Sequence, residues 1–397
     1  MKKIDVSLPG DREPWLIPTA ERIRLFYTAK REGKRVCLMV YDHADTSTFR
    51  YRCYNVLQWT KQSRTWQAVY FYRSEIETVM KLLPEADLLE LARLQWFLAV
   101  DTLICKARAL HIPVLYEVDD CVFDLDLLPM LTNSIDVDFS VDGQYEYWFS
   151  YISRNGFTAG KADGFITTND YLGRRLEQKF GKPYRVIRNT LNREQLDISE
   201  RCRQKKQALI DQPSIKDDRF IIGYFSGSPS HNHDMVMIGE ELAAFLDEHR
   251  DTKLTVVGFM TFPACMQACI ERKQVEFTSL TDFMNLQPLT ASVDLSIVPL
   301  LNNMFTNCKS ELKFFEAGVV DTVTLASPTY TYTHCIRNGE NGFLCKSGEW
   351  YRTLNDIYSR RDELAAIAKT AREDSLKYYS GEYVIREIEE AFNHFIQ

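Results

Sequence analysis

The stretch FIIGYFSGSPSHNHDMVMIGEELAAFLDEH, residues 220–249, decides the fold. Its first six residues are apolar and rich in β-forming types, so they read as a buried strand. A polar loop containing Gly227, Ser228 and Pro229 breaks the run. A helical pattern then occupies about 234–249. Strand, loop and helix in that order form the repeating part of a crossover unit.

The same succession extends in both directions. Downstream, 254–257, 275–277 and 295–298 read as strands, followed by a helix over 311–317, a strand over 322–326 and a turn at 338–342. Upstream, strands are expected at 36–41, 67–72, 113–118, 164–167 and 184–187, with a further apolar run at 88–92. Helices are expected from about Phe49 and over 76–83, 97–110, 145–161 and 171–180. Segment 124–142 is acidic and less regular. The polar stretch 197–218, with several Lys and Arg and Pro213, is the candidate linker or linker helix. Near the C-terminus, Val384, Ile385, Ile388, Phe392 and Phe395 recur at helical spacing.

Alternating strands and helices predict parallel sheets with crossover helices. The expected fold class is α/β, with two doubly wound domains in tandem and ligands in the cleft between them, at the carboxyl ends of the strands. The expected division is 1–205, with a helical extension at 1–34, then 206–375, then a final helix over 376–397.

Composition narrows the partners. The 397 residues suit two domains. The 48 Lys and Arg against 55 Asp and Glu give a net charge of −7, which argues against nucleic acid as the main partner. Ten cysteines without a CxxC pair fit a reduced, cytoplasmic compartment. Cys265 and Cys269 are spaced to share a helix face, but no second ligand pair lies nearby, so no metal is expected. No apolar run reaches signal-peptide or membrane-span length. Segment 21–35 interleaves basic residues with Ile23, Leu25 and Phe26. It reads either as a helix packed on the sheet or as a peripheral contact with an anionic membrane.

Two segments carry candidate chemistry. In 223–234, Gly227 and Ser228 allow close backbone approach, and a helix start after a strand suits a phosphate. His231 and His233 stand in the same loop, which also reads as an ordinary turn with solvated histidines. It is neither a Walker loop nor a GxGxxG fingerprint. In 307–318, NCKSELKFFEAG, the spacing of Lys309, Lys313 and Glu316 puts them on one face of a helix. Lys309 at the helix start would address a diphosphate, and Glu316 a ribose diol. The other reading is a surface ion-pair face.

The pattern Lys309-Ser310-x-Leu312-Lys313-Phe314-x-Glu316-Ala317-Gly318, then Ala326-Ser327-Pro328-Thr329, then Ile336-x-x-Gly339-x-Asn341-Gly342, resembles the donor half of GT-B glycosyltransferases. The resemblance is to the large retaining family that includes sucrose synthase and bacterial polysaccharide transferases, such as rhamnosyl-type enzymes. It extends to IIGYFSGSPSHNHD, to SVDLSIVP at 292–299 and to LYEVDD at 115–120, and so covers most of 36–375.

The resemblance implies that Glu316 binds the ribose of a nucleotide sugar and that Lys309 neutralises its diphosphate. It assigns the sugar and β-phosphate to the backbone around Asn307, with Gly227 and Ser228 on the other side. It also implies a final helix that crosses back to the N-terminal domain. Three positions depart from the family pattern. Cys308 replaces the first of the usual two glutamates, Tyr224 and His231 stand near the usual Arg and Lys of the first donor loop, and Asp119 replaces a histidine. Asp119 and Asp120 would orient an acceptor hydroxyl or take its proton, or else cap the next turn. Arg50 and Arg52 would reach an acceptor or the donor phosphates, or else form the exposed face of the first helix.

The expected activity is a metal-independent, cofactor-free transfer of a sugar from a nucleotide sugar to a glycan or lipid-linked glycan, in cell-surface polysaccharide assembly. A non-catalytic GT-B-like subunit that binds nucleotide or a partner transferase is the alternative. A sugar-nucleotide epimerase of the same shape is a third reading, for which these motifs show no acid-base set.

Overall fold

The computed structural model describes residues 4–10, 12–131, 137–210, 219–227 and 232–396. Strands β1 (Arg35–Tyr41), β2 (Trp66–Tyr72), β3 (Leu88–Ala92), β4 (Val114–Val118), β5 (Gly164–Thr167) and β6 (Tyr184–Val186) form a parallel sheet in the order β2-β1-β3-β4-β5-β6. Strands β7 (Phe220–Ser226), β8 (Thr252–Gly258), β9 (Val275–Thr278), β10 (Leu295–Val298), β11 (Val323–Ala326) and β12 (Phe343–Leu344) form a second, in the order β12-β11-β10-β7-β8-β9. Helices cover both faces of such sheets, which is why the central strands read as unbroken apolar runs. Strand order reverses between β1 and β3 in the first sheet and between β7 and β10 in the second. Those reversals are where a doubly wound sheet opens a crevice for ligand.

Three elements differ from the sequence reading. The chain after β1 forms a π-helical turn, Arg50–Tyr54, that runs into the helix Asn55–Thr60. Every residue of both is buried, so Arg50 and Arg52 are not on an exposed helix face. The candidate linker is helical over Arg193–Ile210, and the remainder of it, 211–218, lies outside the described residues. β12, with two residues, is too short for its pattern to register.

The helix Thr19–Arg31 packs on the first sheet through Phe26, and its buried Arg22 pairs with Glu75 at 2.8 Å. One apolar cluster spans the two domains, beside a cluster built mainly in the first domain and others confined to the second. Trp15 contacts Tyr54 of the first domain and Phe283 of the second, with ring centroids 6.1 and 5.6 Å apart. The last helix, Gly381–His394, returns to the first domain, where Phe392 meets Trp66 at 5.1 Å and Glu387 accepts the Arg188 amide at 2.8 Å.

Candidate active site

Both reversal points open onto one inter-domain cavity of about 350 Å³. Ser47, Thr48 and Arg93 approach it from the ends of β1 and β3, and Asp119 and Asp120 from the end of β4. Gly227, after β7, and Val298 and Leu300, at the end of β10, line the opposite wall with Lys309 and Lys313.

On the first-domain wall, the Asp119 carboxylate is fixed from two sides. Thr48 Oγ1 donates to its Oδ2 and Arg93 donates to its Oδ1, each at 3.0 Å. Arg93 also reaches Asp120 at 3.8 Å and donates to the Tyr151 hydroxyl at 2.9 Å. Burial pushes the Asp119 carboxyl above its usual range against the pull of Arg93, and the charge of Asp120 adds to the rise. Arg93 holds a left-handed backbone, with φ of 45°. Such a conformation costs a residue with a Cβ of order 1–3 kcal/mol and persists where surrounding contacts fix it.

On the second-domain wall, Lys309 precedes the short helix Leu312–Gly318, and Lys313 lies within it. That helix sits close against Leu364–Tyr379, since a Cβ on Gly318 would come within 2.3 Å of Ser375 Oγ. Neither lysine has a carboxylate partner among the described residues. Lys309 lies over the Phe305 ring at 5.1 Å and Lys313 over Tyr224 at 5.7 Å. Burial pushes the Lys313 ammonium down to about 8, with Asp234 opposing the fall and Lys309 adding to it. The wall therefore presents two cations with no carboxylate in direct contact, a setting that a bound anion relieves.

Glu316 does not line this cavity. Its buried carboxylate faces the first domain, where Oε1 accepts the Tyr51 hydroxyl and, at 3.0 Å, the Gln195 amide, with Arg50 3.7 Å away. Its Oε2 makes no hydrogen bond among the described residues. Asn307 is used within its own domain, where its amide spans Asn302 and Asn303 and its carbonyl accepts the Tyr330 amide at 2.6 Å. Gly227 lines the cavity. Ser228 and His231 lie outside the described residues.

Arg50 and Arg52 are buried rather than turned toward an acceptor. Arg52 donates to Glu117 at 2.5 Å and to Asn189 at 3.0 Å. Burial raises Glu117 to about 7, although Arg52 pulls it down, and raises Glu90 to about 8. Asn189 in turn donates to Ser310 at 2.8 Å and Asn169 to the Cys308 carbonyl at 2.8 Å, so two asparagines of the first domain grip the segment that carries Lys309. Sequence reasoning did not single out Arg93, Tyr51, Gln195 or Asn189. Only the position of Arg93, directly after a strand, marked it.

Among the described residues, no group of three or more His, Cys, Asp and Glu side chains gathers as a metal site, and no helix is long and apolar enough to cross a membrane.

Two Rossmann-like domains facing a cleft, joined by a returning C-terminal helix, make this a GT-B fold. Solved structures share it. Anabaena HepE in complex with UDP superposes with a TM-score of 0.60 at 14% identity, over 91% of this chain and all of that one. A glycosyltransferase from Rickettsia africae gives 0.60 at 14%, over 92% and 99%. Sucrose-phosphate synthase from Thermosynechococcus elongatus gives 0.56 at 13%, over 91% and 99%. No family model and no curated protein matches the sequence.

Proposed function

We propose that this protein is a glycosyltransferase that moves a sugar from a nucleotide diphosphate sugar to a hydroxyl of a glycan or lipid-linked glycan, without a metal, in cell-surface polysaccharide assembly. The observation that carries the reading is the cleft itself, where two unpaired lysines face two carboxylates held by one arginine. Lys309 and Lys313 hold the diphosphate and stabilise the charge that develops as it leaves. The resemblance gives the ribose to Glu316, but its carboxylate lies outside this cavity, against Tyr51 and Gln195, so the donor reading rests on the two lysines. Asp119, whose carboxyl burial raises above its usual range and which faces the cleft, takes the proton of the acceptor hydroxyl. Closure of the two domains over bound substrates excludes the water that would otherwise hydrolyse the donor. HepE is described in complex with UDP and with UDP-glucose, which makes UDP-sugars the first donors to try. Ten free thiols suit the reducing cytoplasm.

The test is release of UDP from UDP-sugars, with and without EDTA, together with the anomeric configuration of the product by NMR. Turnover that survives EDTA and falls by a factor of about 10²–10⁴ in Asp119→Asn supports the proposal. UDP binding without turnover on any acceptor supports the non-catalytic subunit instead.

A further inference from the structure

A second cavity, of about 680 Å³, also lies between the domains. It adjoins the cleft in sequence, with Arg188 beside Asn189 and Glu311 beside Ser310, yet the two cavities share no lining residue. Its walls have no part in the chemistry proposed above.

Tyrosines dominate those walls. Tyr330 comes from the second domain, Tyr378, Tyr379 and Tyr383 from the C-terminal helices, and Tyr184 from the first domain. Among them is the buried carboxylate of Glu311. Its Oε1 accepts the Tyr379 hydroxyl at 2.9 Å, and its Oε2 makes no hydrogen bond among the described residues. Arg188 lies alongside, stacked 5.5 Å from the Tyr383 ring and paired with Glu387 at 3.5 Å. Around the whole wall, three arginines stand against four carboxylates.

That balance sets the ligand class. A polyanion would meet no net positive field, and an amine would meet arginines. A neutral, hydroxyl-rich ligand fits both signs, because carboxylates accept from hydroxyls and guanidinium forks donate to them. Tyrosine rings and hydroxyls line the wall in the mix of flat apolar surface and polar rim that suits a sugar, with Tyr379 also stacked on Phe315 and Tyr330 against His334. The volume falls in the ~300–1,000 Å³ range of small-ligand pockets. We propose that this cavity is a second carbohydrate site, which holds a neutral oligosaccharide segment apart from the donor cleft. The inference stands independently of the nucleotide reading.

Calorimetric titration of the full chain with maltohexaose, cellohexaose and chitohexaose, with and without saturating UDP, tests it. The expected result is binding of at least one oligosaccharide that UDP does not displace. That binding weakens at least about tenfold in Tyr383→Ala and Glu311→Gln and is unchanged in Lys309→Ala. Tyr378→Ala, at a half-buried position, replaces Glu311→Gln if the latter fails to fold. Absence of binding across the panel, displacement by UDP, or indifference to the tyrosine variants would overturn the proposal. Oligosaccharide binding without UDP binding would exclude UDP as the donor's nucleotide and leave this proposal standing.

Discussion

At the scale of single residues, Lys313 carries the sharpest pH dependence. Its ammonium is held near 8 instead of the ordinary 10.5, so the free protein begins to lose this charge as pH rises through about 8. A bound diphosphate favours the charged form, and affinity for UDP should therefore fall as pH rises through that region. Lys313→Arg, which stays charged, should flatten the profile. Calorimetry across the pH range checks this, and a wild-type affinity insensitive to pH would contradict it. Folding stability runs the other way. Between about 8 and 10.5 the unfolded chain binds more protons at this position, so this lysine makes stability rise with pH across that window. Spacing grouped Lys309 and Lys313 with Glu316 on one helix face; both lysines line the cleft, whereas Glu316 does not. Tyr51 and Gln195 were not legible, because Glu316, which they hold, lies 265 and 121 residues away in the chain.

At the scale of elements, the strands were legible because both faces of each sheet are covered, which leaves runs such as VCLMVY with almost no polar interruption. The segment after β1 was not. A π-helical turn buried on all sides shows no amphipathic period, and two arginines within it read as surface. Their burial depends on Glu117 and Glu316. Removing one partner of such a pair leaves an uncompensated charge, so Arg52→Ala should destabilise by about 3–5 kcal/mol in denaturant titration. A loss below about 1 kcal/mol would show that water reaches the site. Glu90 and Glu117, raised to about 8 and about 7, hold extra protons in the folded state. Their contribution is complete below the ordinary value of 4.5 and is lost as pH rises toward 8. Glu90→Gln should raise the melting temperature at pH 8 and reduce its fall between about pH 5 and 8, as read by calorimetric melting.

At the scale of the whole molecule, packed contacts tie the two domains together. Trp15 fills the core between them, and the last helix ties the C-terminus to the first sheet. The tandem order of domains was legible from the repeated strand-helix alternation. The shared core was not, since it joins segments near residues 15, 54 and 283. Trp15→Ala should cost about 3–5 kcal/mol and lower the stability of both domains together. Two separate unfolding transitions in the wild type would contradict a common core. The central claim is that the inter-domain cleft holds a nucleoside diphosphate. Calorimetric titration with UDP, GDP and ADP, wild type beside Lys309→Ala and Lys313→Ala, tests it most directly. The account predicts that at least one diphosphate binds the wild type and that both substitutions weaken it at least about tenfold, a loss of roughly 1.4 kcal/mol each. No binding by any diphosphate, or binding that ignores both substitutions, would contradict it.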